Sequence, residues 1–171
     1  MEGSGIAQIN GFDRLSEGIG RLTSWLTIVM VVMTGIVVLM RYAFDAGFIW
    51  MQESVTWMHA AVFMLGAAYT LRHEEHVRVD IFYRNMSPQR KAIVDLAGVV
   101  LFLLPLCGFL AYSAYDFAAV SWSMQEISRE PGGLPYPAIP LLKSIVIIMP
   151  VTLALQGVSM ILRSLAVLWK R

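Results

Sequence analysis

Residues 22–40 read LTSWLTIVMVVMTGIVVLM, without a single charged side chain. At about 1.5 Å of rise per residue, a helix of this length reaches about 28 Å, close to the roughly 30 Å thickness of a bilayer's hydrocarbon core. Three further stretches meet the same length criterion. Residues 50–71 do so with Glu53 and His59 inside, residues 92–115 with Asp95 near the start, and residues 145–168 with Arg163 near the end. Pro105 and Pro150 fall inside the third and fourth stretches. Membrane helices accommodate such prolines as kinks, because a neighbouring helix can satisfy the freed carbonyl. The expected fold is an all-α membrane protein of four transmembrane helices, forming one domain over residues 1–171.

Composition agrees with that class. Hydrophobic residues make up 57 % of the chain and charged residues 15 %, with a mean hydropathy of +0.64. A soluble domain carries about 25 % charged residues to wet its surface, so lipid is the expected surround. The formal net charge of +1 and the absence of a basic stripe with interleaved aromatics give no case for nucleic-acid binding. Cys107 is the one cysteine, which excludes an internal disulfide and a cysteine-based zinc site.

Lys and Arg set the orientation, because they accumulate on the cytoplasmic side of spans. Arg14, Arg21, Arg72, Arg78, Arg84, Arg90, Lys91, Arg163, Lys170 and Arg171 share one side of a four-span chain. Only Arg41, Arg129 and Lys143 fall on the other. Both termini are therefore expected in the cytoplasm. The segment before the first span contains Glu2, Asp13 and Glu17, and no small-x-small cleavage site follows. It reads as retained rather than as a cleaved signal.

Three segments do not span. In residues 1–21, Ile6, Ile9, Phe12, Leu15 and Ile19 recur at intervals of three and four, continuing to Leu22. That period predicts an amphipathic helix lying in the cytoplasmic interface, with Gly11, Gly18 and Gly20 weakening it toward a frayed tail. Residues 72–91 mix Val77, Val79, Ile81, Phe82 and Tyr83 with many charges, as for a segment resting on the membrane surface or a partner. Ser87-Pro88 reads as the N-cap and first residue of the third helix. Residues 125–142 hold Pro131, Gly132, Gly133, Pro135, Pro137 and Pro140, which predicts a stiff irregular loop on the periplasmic side. It is a docking surface for a soluble component or a plain connector.

Ionisable groups inside a span need a partner or a task. Arg41 ends the first span and Glu53 lies about one turn into the second, so a short connection permits an Arg41–Glu53 ion pair. The alternative makes Glu53 a carrier of protons or cations; its shallow position favours the pair. His59 lacks a second histidine on another span for haem ligation, since His73 and His76 sit in the cytoplasmic connection. It is expected to hydrogen-bond between helices. Trp50, Trp57, Trp122 and Trp169 read as interface anchors. No nucleophile–base pair, phosphate-binding glycine loop or metal-ligand spacing is present, so no enzyme is expected.

The order of these landmarks resembles the small membrane subunit (DctQ-like) of the tripartite ATP-independent periplasmic, or TRAP, transporters. Arg41-Tyr42 closes the first span, Trp50 and Glu53 open the second, and Gly66-Ala67-Ala68 precede Arg72. His76-Val77-Arg78-Val79-Asp80 fits the family's His-x-x-Val-Asp signature, and Pro88 begins the third helix. Trp122, Glu126, Gly133-Leu134-Pro135, the run Lys143 to Pro150, and Gln156 follow in family order. The resemblance covers roughly residues 20–160.

That resemblance implies a multi-pass protein of the bacterial inner membrane that carries no cofactor itself. Its implied partners are a large membrane subunit, which binds sodium and substrate, and a periplasmic substrate-binding protein. The small subunit then braces the large one and adds to the docking surface during ion-gradient-driven import of a small organic acid. Arg41, Trp50, Glu53, His76, Asp80, Glu126 and Lys143 are carried over as structural or interface residues. Asp80 is expected to tie to Arg78 or Arg84, and Lys143 to Glu126 or Glu130. Two rivals remain: a self-sufficient drug/proton antiporter using Glu53, and a membrane anchor for a respiratory enzyme.

Overall fold

A computed structural model describes residues 11–73, 83 and 85–169. Four rods dominate it: α1 (Gly11–Ala43), α2 (Ile49–Arg72), a composite third rod, and α5 (Ala138–Trp169). The third rod consists of α3 (Pro88–Gly98), a π-helical turn (Val99–Leu103) and α4 (Leu104–Ser123). All four are long and apolar enough to cross a membrane, over Ser16–Ala43, Ile49–Leu71, Pro88–Ser123 and Ala138–Trp169.

The spans run longer than the sequence suggested, for identifiable reasons. Residues 11–21 are not a separate interfacial helix: they continue unbroken into the first span as part of α1. The inward face of that segment carries Ser16, Gly20 and Thr23, whereas Leu22 is exposed. Small residues let this end of α1 approach its neighbours, a common solution where lipid gives no hydrophobic drive for helix association. Residues 1–10 lie outside the described residues. At its start, the third rod is capped as expected: Ser87 Oγ accepts the Arg90 N–H, and Pro88 opens the first turn. At the far end, α5 begins at Ala138 rather than near residue 145. Pro140 falls in the first turn, where no intrahelical N–H is required, so the proline-rich loop can pass directly into helix.

Pro105 explains the π turn. A proline removes the N–H that residue 101 would otherwise use and crowds that carbonyl. The chain widens one turn ahead of it, and the Leu104 N–H donates to the Val99 carbonyl, a step of five residues. The widened turn rests on Gly157 of α5, where a Cβ would stand 2.9 Å from Leu103 Cδ2 and 3.2 Å from Val99 Cγ1.

α5 is the hub, packing against α1, α2, α3, the π turn and α4, while α1 pairs chiefly with α2. Its buried face is apolar at Pro140, Ile145 and Pro150 and turns polar and small at Thr152, Gln156, Gly157, Ser159 and Ser164. Gln156 is fully buried and its Oε1 accepts the Ser16 hydroxyl at 2.9 Å. The accessible surface of the chain is 11943 Å², against about 8,400 Å² for a compact soluble globule of this mass. Trp25, Ile28, Val32, Ile36 and Leu39 of α1, and Leu106 and Phe109 of α4, face outward. Such surface is stable only against lipid or another apolar protein.

Candidate functional site

Among the described residues, a connected set of polar contacts gathers at the end of the bundle carrying residues 44–48 and 124–137. After α1, Asp45 takes a positive φ of 51°, and the Ala46 N–H returns to the Met40 carbonyl at 3.0 Å. Aspartate tolerates this left-handed region better than most side chains. The short reversal delivers the chain to α2 with Glu53 in its second turn.

Glu53 is the keystone of this end. Its Oε2 accepts the Leu134 backbone N–H at 2.6 Å, and its Oε1 accepts the Ser128 hydroxyl. The loop closes on itself between those points. Ser128 N–H donates to the Leu134 carbonyl at 3.2 Å and Gly133 N–H to the Glu130 carbonyl at 3.0 Å, while Ser128 Oγ also accepts the Glu130 N–H at 3.1 Å. Gly132 turns the chain at φ 77°, a conformation that glycine alone adopts freely. Its carbonyl accepts the Trp50 N–H at 3.1 Å. Gly133 leaves room for the carboxylate: a Cβ there would sit 2.6 Å from Ser128 Cβ and 2.7 Å from Glu53 Oε2. The indole N–H of Trp57 donates to the Ala138 carbonyl at 2.9 Å, joining α2 to the first residue of α5.

A second clasp closes the other side of the loop. Lys143 Nζ meets Glu126 Oε2 at 2.5 Å, and the Ser121 hydroxyl donates to the same oxygen at 2.6 Å. The Lys143 ammonium also lies 4.2 Å from the centre of the Phe117 ring, a cation–π contact. The Lys143 ammonium first, then the Ser121 hydroxyl, hold the Glu126 carboxyl below the usual carboxylate range. Trp122 joins this side through its indole N–H to Ser144 Oγ at 2.9 Å and an edge contact with Tyr136.

Several expected site residues stand elsewhere. Arg41 does not pair with Glu53: both line one open groove of about 460 Å³ with Gln52, Thr56 and Glu130, but the carboxylate is turned to the loop. Two loop donors compete better than one exposed guanidinium on a mobile stem, because the backbone N–H is fixed in place and costs no side-chain entropy. His59 makes no helix–helix hydrogen bond among the described residues; its exposed ring lies 4.6 Å from that of Phe63. Trp57 also ties α2 to α5 through its indole N–H. Of the two carboxylates offered to Lys143, Glu126 is the one it meets. His76 and Asp80, with the proposed ties to Arg78 or Arg84, lie outside the described residues. At the opposite end, Glu17 lies 3.4 Å from His73 Nε2 and 3.7 Å from Arg21, and the Tyr83 hydroxyl donates to Asp95 at 2.8 Å.

Ser128, Gly133, Leu134 and Ser121 carry the site without having been singled out for these roles. Gly133 and Leu134 stood out within the landmark Gly133-Leu134-Pro135, and Ser121 carries no glycine or proline nearby to mark it. Together the residues form a cap: Glu53 holds the loop through the Leu134 N–H and the Ser128 hydroxyl, and Glu126 is held by the Lys143 ammonium and the Ser121 hydroxyl.

The family model described as "Tripartite ATP-independent periplasmic transporters, DctQ component" matches residues 30–167. No curated protein and no solved structure matches the chain. The match spans α2, the whole cap and all but the last residues of α5, and its family comprises transporter components rather than enzymes. The chain belongs to the DctQ component family of the TRAP transporters.

Proposed function

We propose that this chain is the fixed small subunit of an ion-driven importer, bracing the large membrane subunit and presenting the 124–137 cap to the periplasmic substrate-binding protein. The observation that carries this reading is the double engagement of Glu53. A carboxylate that spends both oxygens on holding a loop is a fastener, not a shuttle for protons or cations. The asymmetry of Lys and Arg supports cytoplasmic termini in the bacterial inner membrane, which puts the cap in the periplasm. A solute path through a transporter is usually built from broken helices with converging polar groups. Here the four rods are continuous, the buried Gln156 of α5 accepts from Ser16 of α1, and the buried Thr152 hydroxyl is satisfied by carbonyls of its own helix. Sodium and a small organic acid are accordingly assigned to the large subunit.

Vesicles reconstituted with the large subunit and the periplasmic protein, with and without this chain, test the reading. The solute is first identified by its binding to the periplasmic protein. Uptake is expected only when all three components are present. Uptake by this chain alone, or undiminished uptake without it, contradicts the proposal.

A further inference from the structure

α2 has two unlike sides. Met51, Met58, Ala61, Ala68 and Leu71 are buried against the other helices. On the opposite side, Gln52, Thr56, His59, Phe63, Gly66 and Thr70 follow one another at steps of four and three, a single helical face. Thr56 and His59 are exposed, Phe63 is 69 % exposed, and a Cβ added to Gly66 would meet nothing within 4 Å. From Gln52 to Thr70 this face runs about 27 Å along the helix, nearly the whole span.

Its chemistry suits protein better than lipid. The Thr56 and Thr70 hydroxyls are satisfied by carbonyls of their own helix, at Gln52 (3.3 Å) and Gly66 (2.8 Å). Among the described residues, neither the His59 ring nor the Gln52 amide has a hydrogen-bond partner. His59 lies about 15 Å along the helix from Ile49, inside the candidate span Ile49–Leu71. Acyl chains offer an imidazole nothing, and polar side chains within spans almost always face protein or a water-filled cavity. The outward face of α1, with Trp25, Ile28, Val32, Ile36 and Leu39, is by contrast a surface lipid covers at no cost.

We infer that the Gln52–Thr70 face of α2 seats a transmembrane helix of the large subunit, with His59 hydrogen-bonded to a polar side chain of that helix and Gly66 admitting its close approach. The inference rests on the function proposed above. Three features select this occupant. The face is as long as a span, it needs a donor or acceptor supplied within the membrane, and it continues without interruption into the groove shared by Arg41, Gln52 and Glu53. The large subunit is the component of the system that spans the membrane.

A photoreactive phenylalanine analogue at position 63 of the full chain, coexpressed with the large subunit, tests the face. The same analogue at Val32 and at Phe109 probes α1 and α4. The inference expects an adduct with the large subunit from position 63. Capture from position 32 or 109 but not 63, a second copy of this chain captured at 63, or no protein adduct at 63 would each overturn it. Hydrogen bonding is read separately: His59→Leu should lower the large subunit recovered with the chain roughly threefold to tenfold, while His59→Gln should retain it. Equal recovery with both variants contradicts the role of His59. Failure of the unmodified chain to retain any polytopic partner refutes the proposed function itself, so the two failures are distinguishable.

Discussion

Glu53 and Leu134 stand 81 positions apart, yet the carboxylate of one accepts the backbone N–H of the other at 2.6 Å. This bond, with its companion from Ser128, converts a loop rich in proline and glycine into a lid fixed on α2.

Substitution separates fastening from ion carriage. Glu53→Gln keeps an acceptor for Leu134, and the Ser128 hydroxyl can rotate to accept from the new amide, so only the charge reinforcement is lost. A cost of about 1 kcal/mol is expected, against about 2–3 kcal/mol for Glu53→Ala, which strands both donors. Thermal unfolding of the detergent-solubilised chain measures both. Uptake by the assembled transporter should survive Glu53→Gln. A variant that assembles normally but transports nothing would make Glu53 a functional carrier.

Gly133 is a steric keyhole. Gly133→Ala drives a methyl group to 2.6 Å from Ser128 Cβ and 2.7 Å from Glu53 Oε2, a clash of the kind that costs about 1–3 kcal/mol. Ser128→Gly removes the nearest obstacle and should recover part of that loss when combined with Gly133→Ala. Additive losses in the double variant would show that the crowding is not the cause.

The second clasp should respond to acid. Because Lys143 and Ser121 depress the Glu126 carboxyl below its ordinary range, the stability it contributes is present above the pKa of an unfolded glutamate. It is lost as pH falls through the lower folded value. Lys143→Met removes the largest cause of the depression. Its unfolding midpoint should lie below that of the unaltered chain at neutral pH, and the gap should narrow below the usual glutamate range. A gap independent of pH would mean that Lys143 acts through Phe117 alone.

At the other end of the bundle, Gly20 lets α1 approach α2. A Cβ there would fall 2.5 Å from Tyr69 Cγ, while the Tyr69 ring lies tilted against that of His73, 4.3 Å between ring centres. Gly20→Ala is expected to cost about 1–3 kcal/mol. It should also separate the helices enough to weaken the Glu17–His73 contact. An unchanged unfolding midpoint would contradict the close approach.

What could be read from sequence follows from the range of the interactions. Four spans were legible because a bilayer imposes a length and an apolar composition on each. The Ser87-Pro88 cap was legible because capping is settled within four residues. The partner of Glu53 was not: Arg41 is close in sequence, whereas Ser128 and Leu134 reach the carboxylate only after α4 and α5 have placed the loop. The π turn escaped notice because Pro105 announces a defect without saying whether a kink or a widened turn will absorb it. His59 was assigned a helix–helix bond from its polarity, and only packing reveals that its side of α2 is left uncovered.

Native mass measurement of the chain released from its own membranes in mild detergent tests the central claim most directly. The account predicts a stable one-to-one complex with a much larger multi-span protein, resistant to dissociation at detergent concentrations that strip lipid. Recovery of the chain only as a monomer or as copies of itself, from membranes that contain the large subunit, would contradict it.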